Sequence, residues 1–132
     1  MSYWLKILTL YDGSEYSKKA ILESIRLAEK FNSKVTVLNV CWEITDAESR
    51  SMLKRAEEPL KKSGIRYTLR SVRADGPGND ATGRKVLEIL EKEGFDCVVL
   101  GARGIGGAKA FLLGSISTKV AAESKCTVIL SR

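Results

Sequence analysis

Short apolar runs and longer amphipathic stretches alternate along the whole chain. WLKILTL is an apolar run with β character, the length of a buried strand. DGS follows, a helix start at which Asp12 or Ser14 can cap. EYSKKAILESIRLAEKF then sets Ile21, Ile25 and Ala28 beside Ala20, Ser24, Leu27 and Phe31 on one broad face at helical spacing, and Asn32-Ser33 ends it. KVTVLNV predicts a second strand. Residues 45–62 predict one helix with Met52, Leu53, Ala56 and Leu60 as its apolar side, and Pro59 should bend or fray its last turn. IRYTLRSVR has the partial alternation of a third strand, and its arginines suit the edge of a sheet. After the turn-rich ADGPGND, residues from about Asp80 to Glu93 place Val86, Leu87, Ile89 and Leu90 on a third helix, with Gly94 just past its end. DCVVLGA predicts a fourth strand. Residues from Ser115 to about Ser124 predict a fourth helix carrying Ile116, Val120 and Ala121, and CTVIL closes the pattern as a fifth strand.

Strands alternating with helices define an α/β chain. The expectation is a five-stranded parallel sheet with helices on both faces, Rossmann-like, in a single domain over residues 1–132. Ligands of such sheets bind beyond the C-terminal strand ends, where strand order reverses. Residues 12–14, residues 40–42 and the stretch GARGIGGAKAFLLGSIS at 101–117 fall at those ends.

The last stretch holds Gly101, Gly104, Gly106, Gly107 and Gly114. Neither GxxxxGK[ST] nor GxGxxG is present. Glycines nevertheless let backbone N–H groups approach a phosphate closely and form a concave nest. The chain then passes to a helix start, where unpaired N–H groups and the positive dipole end favour an anion. Ser115 and Ser117 add hydroxyl donors there. The residues alone fit equally a flexible strand-to-helix connection capped by Ser115.

The spacing adds more. Gly101-x₂-Gly104-x₉-Gly114-Ser115, together with DGSE after the first strand, resembles the nucleotide-binding branch of the universal stress protein family. ILTLYDGSEYSKKA is similar to that family's opening strand and turn, residues 95–104 to its fourth-strand signature, and GSIS to its last helix start, so the resemblance covers nearly the whole chain. It implies an adenine-nucleotide alpha hydrolase-like fold, ATP with a divalent cation (Mg²⁺ or Mn²⁺), and a homodimer joined through the last strand. By position it implies that the backbone around Leu10 and Tyr11, with Asp12, lines the adenosine end. Val40 offers backbone groups to the adenine edge. Gly101, Ala102, Arg103, Gly104 and Gly107 wrap the phosphates, and Gly114, Ser115, Ile116 and Ser117 hold them from the helix side. Arg103 and Lys109 flank the phosphate site and either touch the ligand or are exposed loop cations, and Trp42 lies near the base or packs peripherally. Leu10 and Thr127 replace prolines frequent in the family. Lys119 replaces a polar, often amide, residue, and either reaches a phosphate or points to water.

Composition changes this picture at a few points. No apolar run approaches the roughly 18 residues of a membrane span, and the N-terminus lacks the features of a signal peptide. Three cysteines without zinc-site spacing suggest free, mostly buried thiols in a reducing cytoplasm. The absence of histidine removes the commonest general base and metal ligand. The net charge of +6 is concentrated in residues 50–73, which hold eight basic and two acidic residues. A nucleic-acid surface there is weighed against a solvated helix face plus a guarded edge strand. The second is preferred because Tyr67 is the one aromatic interleaved with the charges. The resulting expectation is an ATP-binding, cytoplasmic, stress-response regulator with slow or no hydrolysis, acting on an unknown downstream protein. The alternatives are a slow ATPase or phosphotransferase, and a dimeric interaction module that binds no nucleotide.

Overall fold

The computed structural model describes residues 5–103 and 113–132. The elements run β1 (Lys6–Leu10), α1 (Glu15–Phe31), β2 (Lys34–Cys41), α2 (Asp46–Arg55), α3 (Glu58–Ser63), β3 (Arg66–Arg73), α4 (Gly78–Lys92), β4 (Cys97–Gly101), α5 (Ser115–Glu123) and β5 (Thr127–Ser131). The five strands form one parallel sheet in the order β3-β2-β1-β4-β5. Strand order therefore reverses between β1 and β4, as the doubly wound expectation requires.

Side chains of a strand alternate between faces, and each face of this sheet has its own core. Ile7, Val35, Val37 and Val99 face α1, α2 and α3, packing on Ile21, Ile25, Leu53 and Leu60. Leu8, Leu38, Val98 and Leu100 face α4 and α5, packing on Val86, Leu90 and Val120. Strands β1 and β4 are covered on both sides, which is why they read as continuous apolar runs rather than alternating ones. The buried hydroxyl of Thr9 in β1 is hydrogen-bonded to that of Ser24 in α1, so the polar position in this run is satisfied.

Four details differ from the expectations. The single helix over residues 45–62 is two helices. Continued through Arg55, it would drive the Pro59 ring into the Arg55 carbonyl and leave that carbonyl without a donor. The chain instead closes α2 with the Ala56 N–H on Leu53 O and Lys54 O, and restarts with Pro59 in the first turn of α3, where its missing N–H costs nothing. Phe31 is 51% exposed: it lies on the expected stripe of α1, but as the last helical residue. Cys126 is half-buried, whereas Cys41 and Cys97 are buried. Helix α4 also begins two residues earlier than Asp80, at Gly78.

Candidate functional site

The crevice at the β1/β4 reversal is built first by the turn after β1. Tyr11 is buried; its N–H donates to Leu38 O (2.9 Å) and its carbonyl accepts from Asn39 Nδ2 (2.7 Å). Both backbone groups of Tyr11 are thus engaged within the protein. Gly13 takes φ +87°, a left-handed conformation that turns the chain into the helix. The Ser14 hydroxyl caps α1 by accepting from Ser17 N–H (3.1 Å), while Asp12 Oδ1 accepts from Ser14 N–H (2.9 Å). Of the two candidate caps the structure selects Ser14, and Asp12 is left half-buried at the strand end with its carboxylate shaping the turn.

Val40 faces the crevice through its backbone. Leu38 O points toward β1, since it receives the Tyr11 N–H, and Cys41 O points toward β3, since it receives the Ala74 N–H (2.9 Å). By the same alternation Val40 directs its N–H and carbonyl to the β1 side, beyond the last β1–β2 pair, Leu10↔Leu38. The side chains of Leu10 and Val40 pack on the α4/α5 core. Trp42 is exposed at 41%. Its carbonyl is held by Arg73 Nη1 (2.8 Å), whose other nitrogen donates to Ile44 O (3.1 Å) and Asp46 (3.2 Å).

Across the crevice lie the end of β4 and the start of α5. A Cβ at Gly101 would fall 2.6 Å from Tyr16 Cβ and 2.9 Å from the Tyr16 carbonyl carbon, so the first turn of α1 rests directly on this strand end. Ala102 is buried, with its N–H on Ser131 O (2.7 Å), and its carbonyl accepts from Gly114 N–H (2.8 Å). The Ser117 hydroxyl is buried and lies within donating distance of Ala102 O (2.7 Å) and Gly114 O (3.0 Å). It ties together the two ends of the glycine-rich segment. Gly114 is the N-cap of α5, and the first intrahelical bond runs from Thr118 N–H to Gly114 O (2.9 Å). The amides of Ser115, Ile116 and Ser117 precede that bond, so they belong to the unpaired first turn of a helix. Ser115 is exposed and Ile116 half-buried. Gly104, Gly107 and Lys109 lie outside the described residues.

Two cations near this region have definite places. Arg103 Nη2 donates to the Tyr16 hydroxyl and its guanidinium carbon sits 5.0 Å from the Tyr16 ring centroid. That hydrogen bond holds the Tyr16 phenol below its ordinary pKa. Lys119 takes neither expected role: it pairs with Asp80 of α4 (3.2 Å) and Glu123 (2.9 Å), and its stem covers Gly83. Burial pushes the Cys97 thiol up to about 11, which suits a packing group rather than a nucleophile. In the basic run, Lys61 and Lys62 pair with Glu57 and Glu58, and Arg70 and Arg73 with Glu93 and Asp46. Arg66 donates to Asn32 O (2.8 Å). Arg50, Lys54 and Arg55 line a shallow depression on α2. Among the described residues no group of three or more His, Cys, Asp or Glu is placed to hold a metal, and no helix is long and apolar enough to cross a membrane. Sequence reasoning did not single out Asn39 or Tyr16. Asn39 left one signal, an amide inside the otherwise apolar end of KVTVLNV.

A parallel doubly wound sheet with a helix start and strand ends meeting at its switch point is the architecture of a Rossmann-like α/β domain. The universal stress protein family model matches residues 4–132, and the chain belongs to that family. A universal stress protein of Thermus aquaticus is 33% identical over 138 residues, which cover 96% of this chain and 97% of that one. The crystal structure of a universal stress protein in complex with cAMP superposes with a TM-score of 0.76 at 25% identity, over 99% of this chain and 98% of its own. The universal stress protein of Archaeoglobus fulgidus in complex with dAMP gives a TM-score of 0.74 at 16% identity, with both chains fully covered; at that identity the likeness speaks for the fold.

Proposed function

We propose that this chain is an adenine-nucleotide-binding regulator that takes ATP in the β1/β4 crevice and hydrolyses it slowly or not at all. The carrying observation is the pairing of two complementary features across the switch point. The Val40 backbone faces past the end of β1, and the first turn of α5 opens from the other side. Adenine presents an amine donor beside ring-nitrogen acceptors, which an outward strand N–H and carbonyl match. An anion is favoured at a helix start. Leu10, Tyr11 and Asp12 then border the nucleoside. Gly101, Ala102, Arg103, Gly104, Gly107, Gly114, Ser115 and Ile116 surround the phosphates, and Ser117 holds the segment's ends in register. The relatives crystallised with cAMP and dAMP support an adenine nucleotide as the ligand class.

The crevice suits a divalent cation that arrives with the nucleotide. The Asp12 carboxylate and the Ser115 hydroxyl border it from its two sides, and Mg²⁺ or Mn²⁺ bound there would lean on the phosphates. Bound to them, the ion would neutralise phosphate charge. Asp12 stands at the nucleoside end and the chain has no histidine, so among the described residues no base is placed to activate water for in-line attack. The protein so read is a cytoplasmic homodimer whose nucleotide-bound form is seen by a downstream protein. The test is mass analysis of small molecules released on denaturation, with calorimetric titration of ATP and Mg²⁺. Ser115→Ala should keep the fold and weaken ATP by about 1–3 kcal/mol, the worth of a hydroxyl bond to a charged group. Absence of both co-purified nucleotide and ATP heat would leave the interaction-module reading, and turnover many times per second would leave the enzyme reading.

A further inference from the structure

Arg103 links the two helix starts that flank the end of β4. Its backbone lies against the cap of α5, since a Cβ at Gly114 would come within 3.3 Å of Arg103 Cα. Its side chain reaches the first turn of α1, where the guanidinium stacks on the Tyr16 ring and donates to the Tyr16 hydroxyl. Tyr16 is itself fixed: its Cβ and carbonyl carbon are pressed against Gly101. A second cation, Lys19, stands 5.8 Å from the same ring centroid. A solvated arginine side chain gives up rotamer freedom when it is immobilised. An aromatic face and a phenol oxygen that already hold it remove most of that cost at binding.

We infer that Tyr16 is a positioning residue that holds Arg103 at the crevice mouth, so that this chain favours adenine nucleotides with more than one phosphate over the monophosphate. The inference rests on the nucleotide reading above and adds to it the group that counts phosphates. The phosphate nearest the nucleoside is served by the α5 start, which binds any of these nucleotides. Charge further along the tail meets the guanidinium that Tyr16 holds at the first turn of α1. Selectivity then depends on a side chain of α1 that is 87 positions from Arg103 in sequence and hydrogen-bonded to it in the fold.

The experiment compares ATP, ADP and AMP by calorimetry on the full chain as wild type, Tyr16→Phe, Arg103→Ala and the double variant. Tyr16→Phe keeps the ring under Gly101 and removes the hydroxyl. It should lower the ATP-over-AMP preference by about 3- to 10-fold while AMP affinity stays within about 2-fold. Arg103→Ala should abolish the preference, and Tyr16→Phe should then have no further effect. Equal weakening of ATP and AMP in Tyr16→Phe, an unchanged preference, or an additive double variant each overturns the inference and leaves nucleotide binding standing. A wild type that binds none of the three overturns the nucleotide reading itself, and this inference with it.

Discussion

Gly101 leaves no space for a methyl group: the Cβ would lie 2.6 Å from Tyr16 Cβ and 3.0 Å from Arg103 O. The resemblance gave this glycine to the phosphates, and the structure gives it a packing duty as well, the seating of α1 on the end of β4. Both reasons produce the same letter in the sequence, so the letter alone does not separate them. Stability does. Gly101→Ala should lose about 1–3 kcal/mol in urea unfolding, the usual cost of overpacking a tight site, whereas Ser115→Ala at its exposed position should lose affinity with little stability. Ser117 teaches the same lesson in reverse. Its place beside GS at a helix start reads as a ligand hydroxyl, yet it is buried on Ala102 O. Tyr16 and Asn39 escaped notice because their partners, Arg103 and Ser49, are brought near by the fold and not by the local pattern.

The elements themselves were mostly legible, since period-2 and period-3.6 patterns record which faces are buried. Residues 15–31 are the expected first helix to the residue, capped by Ser14 and ended at Asn32 with φ +52°. Where the reading failed, a stereochemical rule competed with periodicity: Leu53, Ala56 and Leu60 keep one apolar stripe through residues 45–62, but Pro59 divides it into α2 and α3. One link between elements makes a pH prediction. Arg70 of β3 donates to the Glu93 carboxylate at the end of α4 (2.6 Å), and this bond holds the Glu93 carboxyl below its ordinary value. A depressed native pKa gives stability that is complete above the unfolded value of about 4.3 and fades as pH falls through the native one. Thermal melts of wild type and Glu93→Gln should therefore differ at pH 6 and converge toward pH 3. The difference should be small, because both side chains are partly solvated. A gap that persisted at pH 3 would contradict this account.

Taken whole, the sheet has two unlike edges. On β3, Arg66, Arg70 and Arg73 are tied to Asn32 O, Glu93 and Asp46, the kind of charged rim that discourages strand addition. On β5, Ala102 N–H donates to Ser131 O and Thr127 N–H to Asp96 O (3.3 Å), so Thr127, Ile129 and Ser131 turn their backbone groups toward β4. Val128 and Leu130 turn theirs outward. This predicts a sharp test of the proposed homodimer. Val128→Pro removes an outward N–H and leaves the β4 ladder whole, so it should give a folded monomer by sedimentation, while wild type sediments at twice the chain mass. A Val128→Pro protein that still dimerises would refute pairing through this edge. The unlikeness of the edges also fixes where assembly ends. In the proposed dimer, two copies meeting at β5 about a two-fold axis would use up that edge of each, and what remained at either end of the joined sheet would be the arginine-bearing β3 rim. Such an assembly would be closed at two, because the β3 rims at its two ends discourage the strand addition from which a filament would grow.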